Sequence, residues 1–336
     1  MKNIVLAISI LLMATNCSST KTTNHKVAPK DSPVAINGAL SVKGNQIVNK
    51  NGDVVSFAGN SFFWSNEYWR GASFYNKHLV KWLRSDWNTE IVRCAMAVDY
   101  KVNDGYLNNP KPNLKNIETV IDAALDLGIY VIIDWHSHLA HENEKEAIAF
   151  FEKMAKKYGK YDNVIYEIFN EPLDISWSND IKPYAEHVIS AIRKIDPDNL
   201  IVVGTPKWSQ DVDIASKDPI VGYSNIAYTL HFYAASHKQW LMDKAQKAMD
   251  NGIAIFVTEW GTVKANGDGK PDEESVDKWM KFMEENNISH CNWAINDKLE
   301  GASIIYIGSS HKGGWKDSEL TESGKIAKKY IKNWKK

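Results

Sequence analysis

Tyr130-Val-Ile-Ile-Asp-Trp-His136 is apolar without a break over its first four residues and then turns polar. A strand with one wet face alternates apolar and polar residues. A continuous apolar run reads instead as a parallel strand covered on both faces. The same kind of run recurs at Ser56–Phe62, Glu90–Ala95, Val164–Phe169, Leu200–Gly204, Ile226–His231, Ala254–Glu259 and His290–Ala294. Between these runs lie stretches of helical period, such as Asn113–Leu127, Glu144–Tyr158, Ile181–Ile195, Gln239–Asn251 and Glu273–Asn286. Eight β/α units in about 280 residues match the length of an α/β protein of the (β/α)₈ TIM-barrel class. A doubly wound open sheet shares the alternation. However, no GxGxxG follows the first strand and no GxxxxGK occurs anywhere in the chain. Upstream, Leu40-Ser-Val and Gln46-Ile-Val predict a short N-terminal β-hairpin, with a turn at Asn51-Gly52-Asp53.

Outward from the barrel, Met1–Cys17 has the form of an export segment. Lys2 supplies the positive start and Ile4–Ala14 an apolar run too short to span a bilayer, which takes roughly 20 residues. Leu12-Met-Ala-Thr-Asn16 before Cys17 resembles a lipobox, although Asn16 departs from the small residue usual there. The expectation is a signal peptide over 1–17 with Cys17 lipidated, giving a cell-surface or periplasmic lipoprotein. Ordinary cleavage with release is the alternative. Residues 18–37, rich in Ser, Thr, Lys, Asn and Pro, are expected to be a flexible tether. The catalytic barrel then takes 38–336, with no second domain. Cys94 and Cys291 sit in apolar runs and read as buried thiols; no CxxC or Cys/His cluster points to zinc. Neither a metal nor another cofactor is expected. Forty basic against 41 acidic residues exclude nucleic acid as an expected partner and leave membrane contact to a lipid on Cys17. A monomer is expected. A core could use several of the thirteen Trp residues, but flat rings also serve as platforms in polymer-binding clefts, and composition alone does not choose between the two.

Barrel enzymes carry their chemistry at the C-terminal ends of the strands. Those ends read Arg93, Asp134-Trp-His136, Asn170-Glu171-Pro172, His231-Phe-Tyr233, Glu259-Trp-Gly261 and Trp293. Ionisable groups at buried strand ends cost free energy unless they are paired, so fold maintenance does not call for them. Two glutamates at the ends of the fourth and seventh strands would face each other across the mouth. Glycosidic cleavage needs such a pair: one carboxyl protonates the leaving oxygen while the other attacks the anomeric carbon. Arg93 is the natural counter-charge for the nucleophile, and Tyr233 a hydrogen-bond donor to it. His138 and His141 read as loop residues. Trp69, Trp82, Trp87 and Trp279 read as packing.

These motifs resemble glycoside hydrolase family 5. Ile168-Phe-Asn-Glu-Pro172 is similar to its acid/base signature and Thr258-Glu-Trp-Gly261 to its nucleophile signature. Gly204-Thr-Pro-Lys-Trp-Ser-Gln-Asp211 and Gly313-Gly-Trp315 are similar to its bacterial endoglucanase branch, and the resemblance spans residues 37–334. It implies Glu171 as acid/base, Glu259 as nucleophile and Asn170 as the contact to the sugar 2-hydroxyl. Arg93, His136, His231 and Tyr233 would surround these groups, and Trp293 would stack on the sugar being cleaved. Trp64 and Trp208 would be cleft platforms on the glycone and aglycone sides. Lys298 and Glu300 would contact a further glycone sugar. The expected substrate is a β-1,4-glucan, with β-mannan or xyloglucan as neighbouring possibilities. A non-catalytic glycan-binding lipoprotein is the alternative from another class. Two departures from the resemblance concern the glycone side: Asn60 stands where several relatives have histidine, and Ala97–Asn109 differs.

Overall fold

Two-residue alternation within each apolar run builds a closed barrel. The computed structural model describes residues 28–98 and 103–335. The export segment and Cys17 lie outside the described residues. A hairpin, β1 (Ser41–Lys43) and β2 (Gln46–Val48), precedes eight parallel strands. These are β3 (Ala58–Phe62), β4 (Ile91–Ala97), β5 (Tyr130–His136), β6 (Val164–Glu167), β7 (Ile201–Val203), β8 (Ile226–Tyr233), β9 (Ala254–Gly261) and β10 (His290–Ile295). Each pairs with the next in chain order, and β10 returns to β3, so the sheet has no free edge. This is the (β/α)₈ barrel with an N-terminal hairpin that the apolar runs predict.

Odd and even positions of a strand face opposite ways. Val92, Cys94, Val131, Ile133, Val164 and Tyr166 join the large apolar layer between sheet and helices. Ile91, Tyr130, Ile132, Ile165, Val202 and Phe256 join a second cluster in the barrel interior. Two residues further along the interior faces come Arg93, Asp134 and Glu167, all fully buried. The interior is therefore apolar towards the N-terminal ends of the strands and charged towards the mouth. Gly59 on β3 is required by this packing, since a Cβ there would lie 1.6 Å from the Ile91 carbonyl oxygen.

The N-terminal end of the barrel is sealed by chain that the sequence reading assigns to the tether. Residues Pro33–Asn37 form a short helix, with Pro33 at its first position and Ser32 accepting from the Ala35 N–H at 3.3 Å. Val34, Leu40 and Ile47 pack onto the interior cluster, and the Tyr130 hydroxyl donates to the Gly38 carbonyl at 2.7 Å. Five residues are too few for an apolar period to register, which is why composition alone extends the tether to 37. The hairpin also turns at Gly44-Asn45; the bend at Asn49–Gly52 comes after β2 and returns the chain to a bridge between Val48 and Val54.

Candidate active site

Strict alternation would put Thr258 and Glu259 on opposite faces of β9. A bulge prevents this. Thr229 pairs with Phe256, but His231 pairs with Glu259, so β9 carries one residue more than β8 over that interval. The extra residue turns Thr258 and Glu259 both towards the interior. A second register shift, in β10, falls between Asn292 and Ile295, the interval that holds Trp293.

Arg93 is the hub of the site, with no solvent exposure. Its Nε and Nη2 donate to the two carboxylate oxygens of Glu167 at 2.6 and 3.2 Å. Its Nη1 donates to Glu259 Oε2 at 3.0 Å and to Ser61 Oγ at 3.3 Å. Nη2 also donates to Asn170 Oδ1 at 2.6 Å and lies 2.9 Å from Asp134 Oδ2. All five guanidinium N–H groups are thus engaged. Asp134 Oδ2 is also 2.7 Å from His136 Nδ1. Burial and the neighbouring Arg93 hold His136 well below its ordinary value, so the ring is neutral, and one hydrogen joins it to Asp134, whose own carboxyl burial pushes up.

Glu259 receives a second hydrogen bond from the Tyr233 hydroxyl at 2.7 Å. Burial pushes its carboxyl above the ordinary carboxylate range and the charge of Glu171 adds to the push; His231, Arg93 and Tyr233 oppose it. Across the mouth, Glu171 Oε1 meets His231 Nδ1 at 2.8 Å. Burial works against an imidazolium at His231, but Glu259, Glu167 and Glu171 outweigh it and push the ring up to about 9. The same contact overcomes the effect of burial on Glu171 and lowers it. Glu171 and His231 therefore hold one proton between them at neutral pH, and the pair titrates as a unit. Carboxylate oxygens of Glu171 and Glu259 and a ring nitrogen of His231 lie within 4.8 Å of one another. That spacing is open to a cation, and the Arg93 guanidinium and the proton on His231 supply positive charge beside it.

The barrel mouth joins two clefts, and Glu171 and Tyr233 line both. One, of about 300 Å³, is walled by Trp64, Trp293, His136, Glu259, Lys298 and Glu300. Trp293 stacks on His136 with the planes 8° apart and the centroids at 5.1 Å, and Trp64 meets the same ring edge-on at 4.4 Å. Lys298 Nζ is 2.5 Å from Glu300 Oε2. The other cleft, of about 380 Å³, holds Trp208, Gln210, His231 and His237. Trp208 is 45% exposed, and Lys207, Trp208 and Ser209 all have left-handed φ of 54–56°. Hydrogen bonds from Lys207 and Trp208 N–H to the Leu173 and Pro172 carbonyls hold this costly turn. Arg93 and Asn170 lie beneath the floor, buried.

The residues read as catalytic or substrate-binding thus gather at one mouth. Four more belong there that the sequence reading passes over or assigns elsewhere. Trp69, read as packing, lines the first cleft with Lys298 Nζ 4.9 Å above its ring. His138, read as a loop residue, lines it too, with Nδ1 3.0 Å from the Glu171 carbonyl oxygen. Glu167 and Thr258 sit behind the carboxylate pair. Glu167 could have been found as the one charge inside Val164–Phe169. Trp87 and Trp279 are fully buried packing residues, as expected. Asn60 is buried and accepts from the Thr89 hydroxyl at 2.8 Å.

The family model of cellulase, glycosyl hydrolase family 5, matches residues 48–299. Endoglucanase Z of Dickeya dadantii is 56% identical over 88% of this chain and 66% of its own length. An endoglucanase of Clostridium saccharobutylicum is 45% identical over 98% of this chain and 72% of its own. This chain thus spans about two thirds of the length of the curated relatives it matches. Among solved structures, the catalytic domain of a Thermobifida fusca endoglucanase superposes with a TM-score of 0.82 at 33% identity, covering 89% of this chain and 99% of that one. A variant of that domain has been solved in complex with cellotetraose. With these matches over most of its length, and a barrel to match, the chain belongs to glycosyl hydrolase family 5, the cellulase family.

Proposed function

We propose that the protein is a retaining endo-β-1,4-glucanase acting on cellulose or mixed-linkage β-glucan. The observation that carries this reading is the spacing of the two glutamates. Carboxyl groups about 5–5.5 Å apart suit direct attack by one of them, whereas inverting enzymes leave about 6.5–9.5 Å for a water. An approach within 4.8 Å between Glu171 and Glu259 oxygens supports the retaining case. Glu259, oriented by Arg93 and Tyr233, attacks the anomeric carbon. The glycosidic oxygen leaves with the proton held by the Glu171–His231 pair, and a glycosyl ester forms on Glu259. Glu171 then takes a proton from water, the hydroxyl adds to the anomeric carbon, and the ester breaks with net retention. Asn170, its Oδ1 fixed by Arg93, offers its amino group to the sugar 2-hydroxyl.

Clefts on both sides of the pair suit an internal segment of a chain, with Trp64 and Trp293 under the glycone and Trp208 under the aglycone. Lys298 and Glu300 extend the glycone side. A complex of the Thermobifida relative with cellotetraose supports a β-1,4-glucan as the ligand class. For location, we propose a lipid anchor on Cys17. A polysaccharide panel with product chromatography tests the activity. Carboxymethyl cellulose should lose viscosity well before reducing ends accumulate. Cleavage of mannan or xyloglucan alone would overturn the glucan assignment, and binding without cleavage would overturn the enzyme.

A further inference from the structure

Behind Glu171 runs a chain of three further groups. His231 Nδ1 faces Glu171 Oε1 at 2.8 Å, and His231 Nε2 lies 2.9 Å from Thr258 Oγ1. The Thr258 hydroxyl donates to Glu167 Oε1 at 2.6 Å. Glu167 is gripped at both oxygens by Arg93, which overcomes burial and holds it below the ordinary carboxylate range, so it is an acceptor only. A hydroxyl has one proton to donate. Since that proton goes to Glu167, Thr258 can only accept from His231, and Nε2 must carry a hydrogen.

We propose that Glu167 and Thr258 are positioning residues that lock His231 in its Nε2–H form and thereby keep the acid proton on the Glu171–His231 pair at alkaline pH. The proposal rests on the glycosidase reading above. With Nε2 locked as a donor, Nδ1 either holds the shared proton or receives it from Glu171. Losing that proton leaves an Nδ1 lone pair facing a carboxylate oxygen at 2.8 Å, two acceptors in contact. Without the lock, the deprotonated pair relaxes: the ring keeps its one hydrogen on Nδ1 and donates to Glu171. The lock therefore makes the proton harder to lose. The β9 bulge enables it, because only there can Thr258 reach inwards beside Glu259. The charged and titratable groups around His231 include Glu171, Glu167 and Glu259 on the acidic side, His136, His237 and Arg93 on the other, and the Tyr233 hydroxyl on Glu259. None of these changes in the test below.

The test compares wild type, Thr258→Val and Thr258→Ser, each checked by thermal melting, on a cello-oligosaccharide. Valine fills the space without a hydroxyl; serine restores the hydroxyl. The alkaline limb of kcat/KM should fall by about one pH unit or more in Thr258→Val and stay in place in Thr258→Ser. An aryl cellobioside with a good leaving group needs no proton, so its kcat/KM should not show the shift. Nitrogen-15 spectra of the labelled imidazole give a readout free of activity: Nε2–H in wild type and Nδ1–H in Thr258→Val above the alkaline limb. An unmoved limb in Thr258→Val, an equal shift in Thr258→Ser, or an Nδ1–H tautomer in wild type would each overturn the lock. A wild type that cleaves no β-glycan would instead overturn the glycosidase reading, while the nitrogen spectra would still decide the lock.

Discussion

Replacing Arg93 with lysine keeps the positive charge and removes the fork. The guanidinium places five N–H groups on Glu167, Glu259, Asn170 and Ser61 and lies 2.9 Å from Asp134. An ammonium has three donors, so at least two of these bonds are lost. Hydrogen bonds to charged groups contribute about 1.5–3 kcal/mol each, which sums to roughly 3–6 kcal/mol. At about 2 °C per kcal/mol for a chain of this size, the melting midpoint should fall by roughly 6–12 °C at pH 7. The pH dependence has a definite sign. Arg93 holds Glu167 below the ordinary carboxylate range, so its contribution is present above the unfolded carboxylate value and is lost as pH falls through the lower folded one. The gap between wild type and Arg93→Lys should therefore be wide at pH 7 and narrow towards pH 4 and below. Differential scanning calorimetry across that range, run alongside hydrolysis of a cello-oligosaccharide, checks both. A midpoint within 2 °C of wild type at pH 7, or a gap that widens on acidification, would refute the hub role.

The rate should follow a bell-shaped pH profile. Its acid limb lies above the ordinary carboxylate range, because burial and Glu171 raise Glu259, and its alkaline limb lies near the His231 value of about 9. A profile flat through that alkaline region would count against the shared proton. Trp208→Ala should raise KM about 5–10-fold on long glucans, the loss of one stacked ring, while leaving an aryl cellobioside nearly unchanged; a loss equal on both substrates would remove Trp208 from the aglycone side. Cys17→Ala should abolish palmitate labelling and membrane partition, and a variant that still labels would exclude lipidation there.

The barrel was legible because its strands are short, mostly apolar runs buried on both faces, with polar residues such as Arg93 and Glu167 too sparse to imitate the alternation of a half-wet strand. Glu171 and Glu259 stood out for a different reason: each puts a charge at the close of an apolar run, where it is costly unless paired. What alternation could not reveal was the bulge that brings Thr258 inwards beside Glu259, since a one-residue slip in β9 has no compositional mark. Glu167 was hidden because it lies inside a run rather than at its end. Trp69 was hidden because an indole in a loop reads the same whether it packs or lines a cleft. The seal at Pro33–Asn37 was hidden by a polar, proline-rich neighbourhood that resembles a linker.

The division of labour between the two glutamates is tested most directly by azide rescue of their alanine variants on an aryl cellobioside. Azide needs no general base. In Glu171→Ala the glycosyl ester still forms on Glu259, and azide should displace it to give the β-glycosyl azide, the retained product. In Glu259→Ala no ester forms, and azide in the vacated space should attack directly and give the α-azide. An α-azide from Glu171→Ala together with a β-azide from Glu259→Ala would contradict the assignment and exchange the two roles.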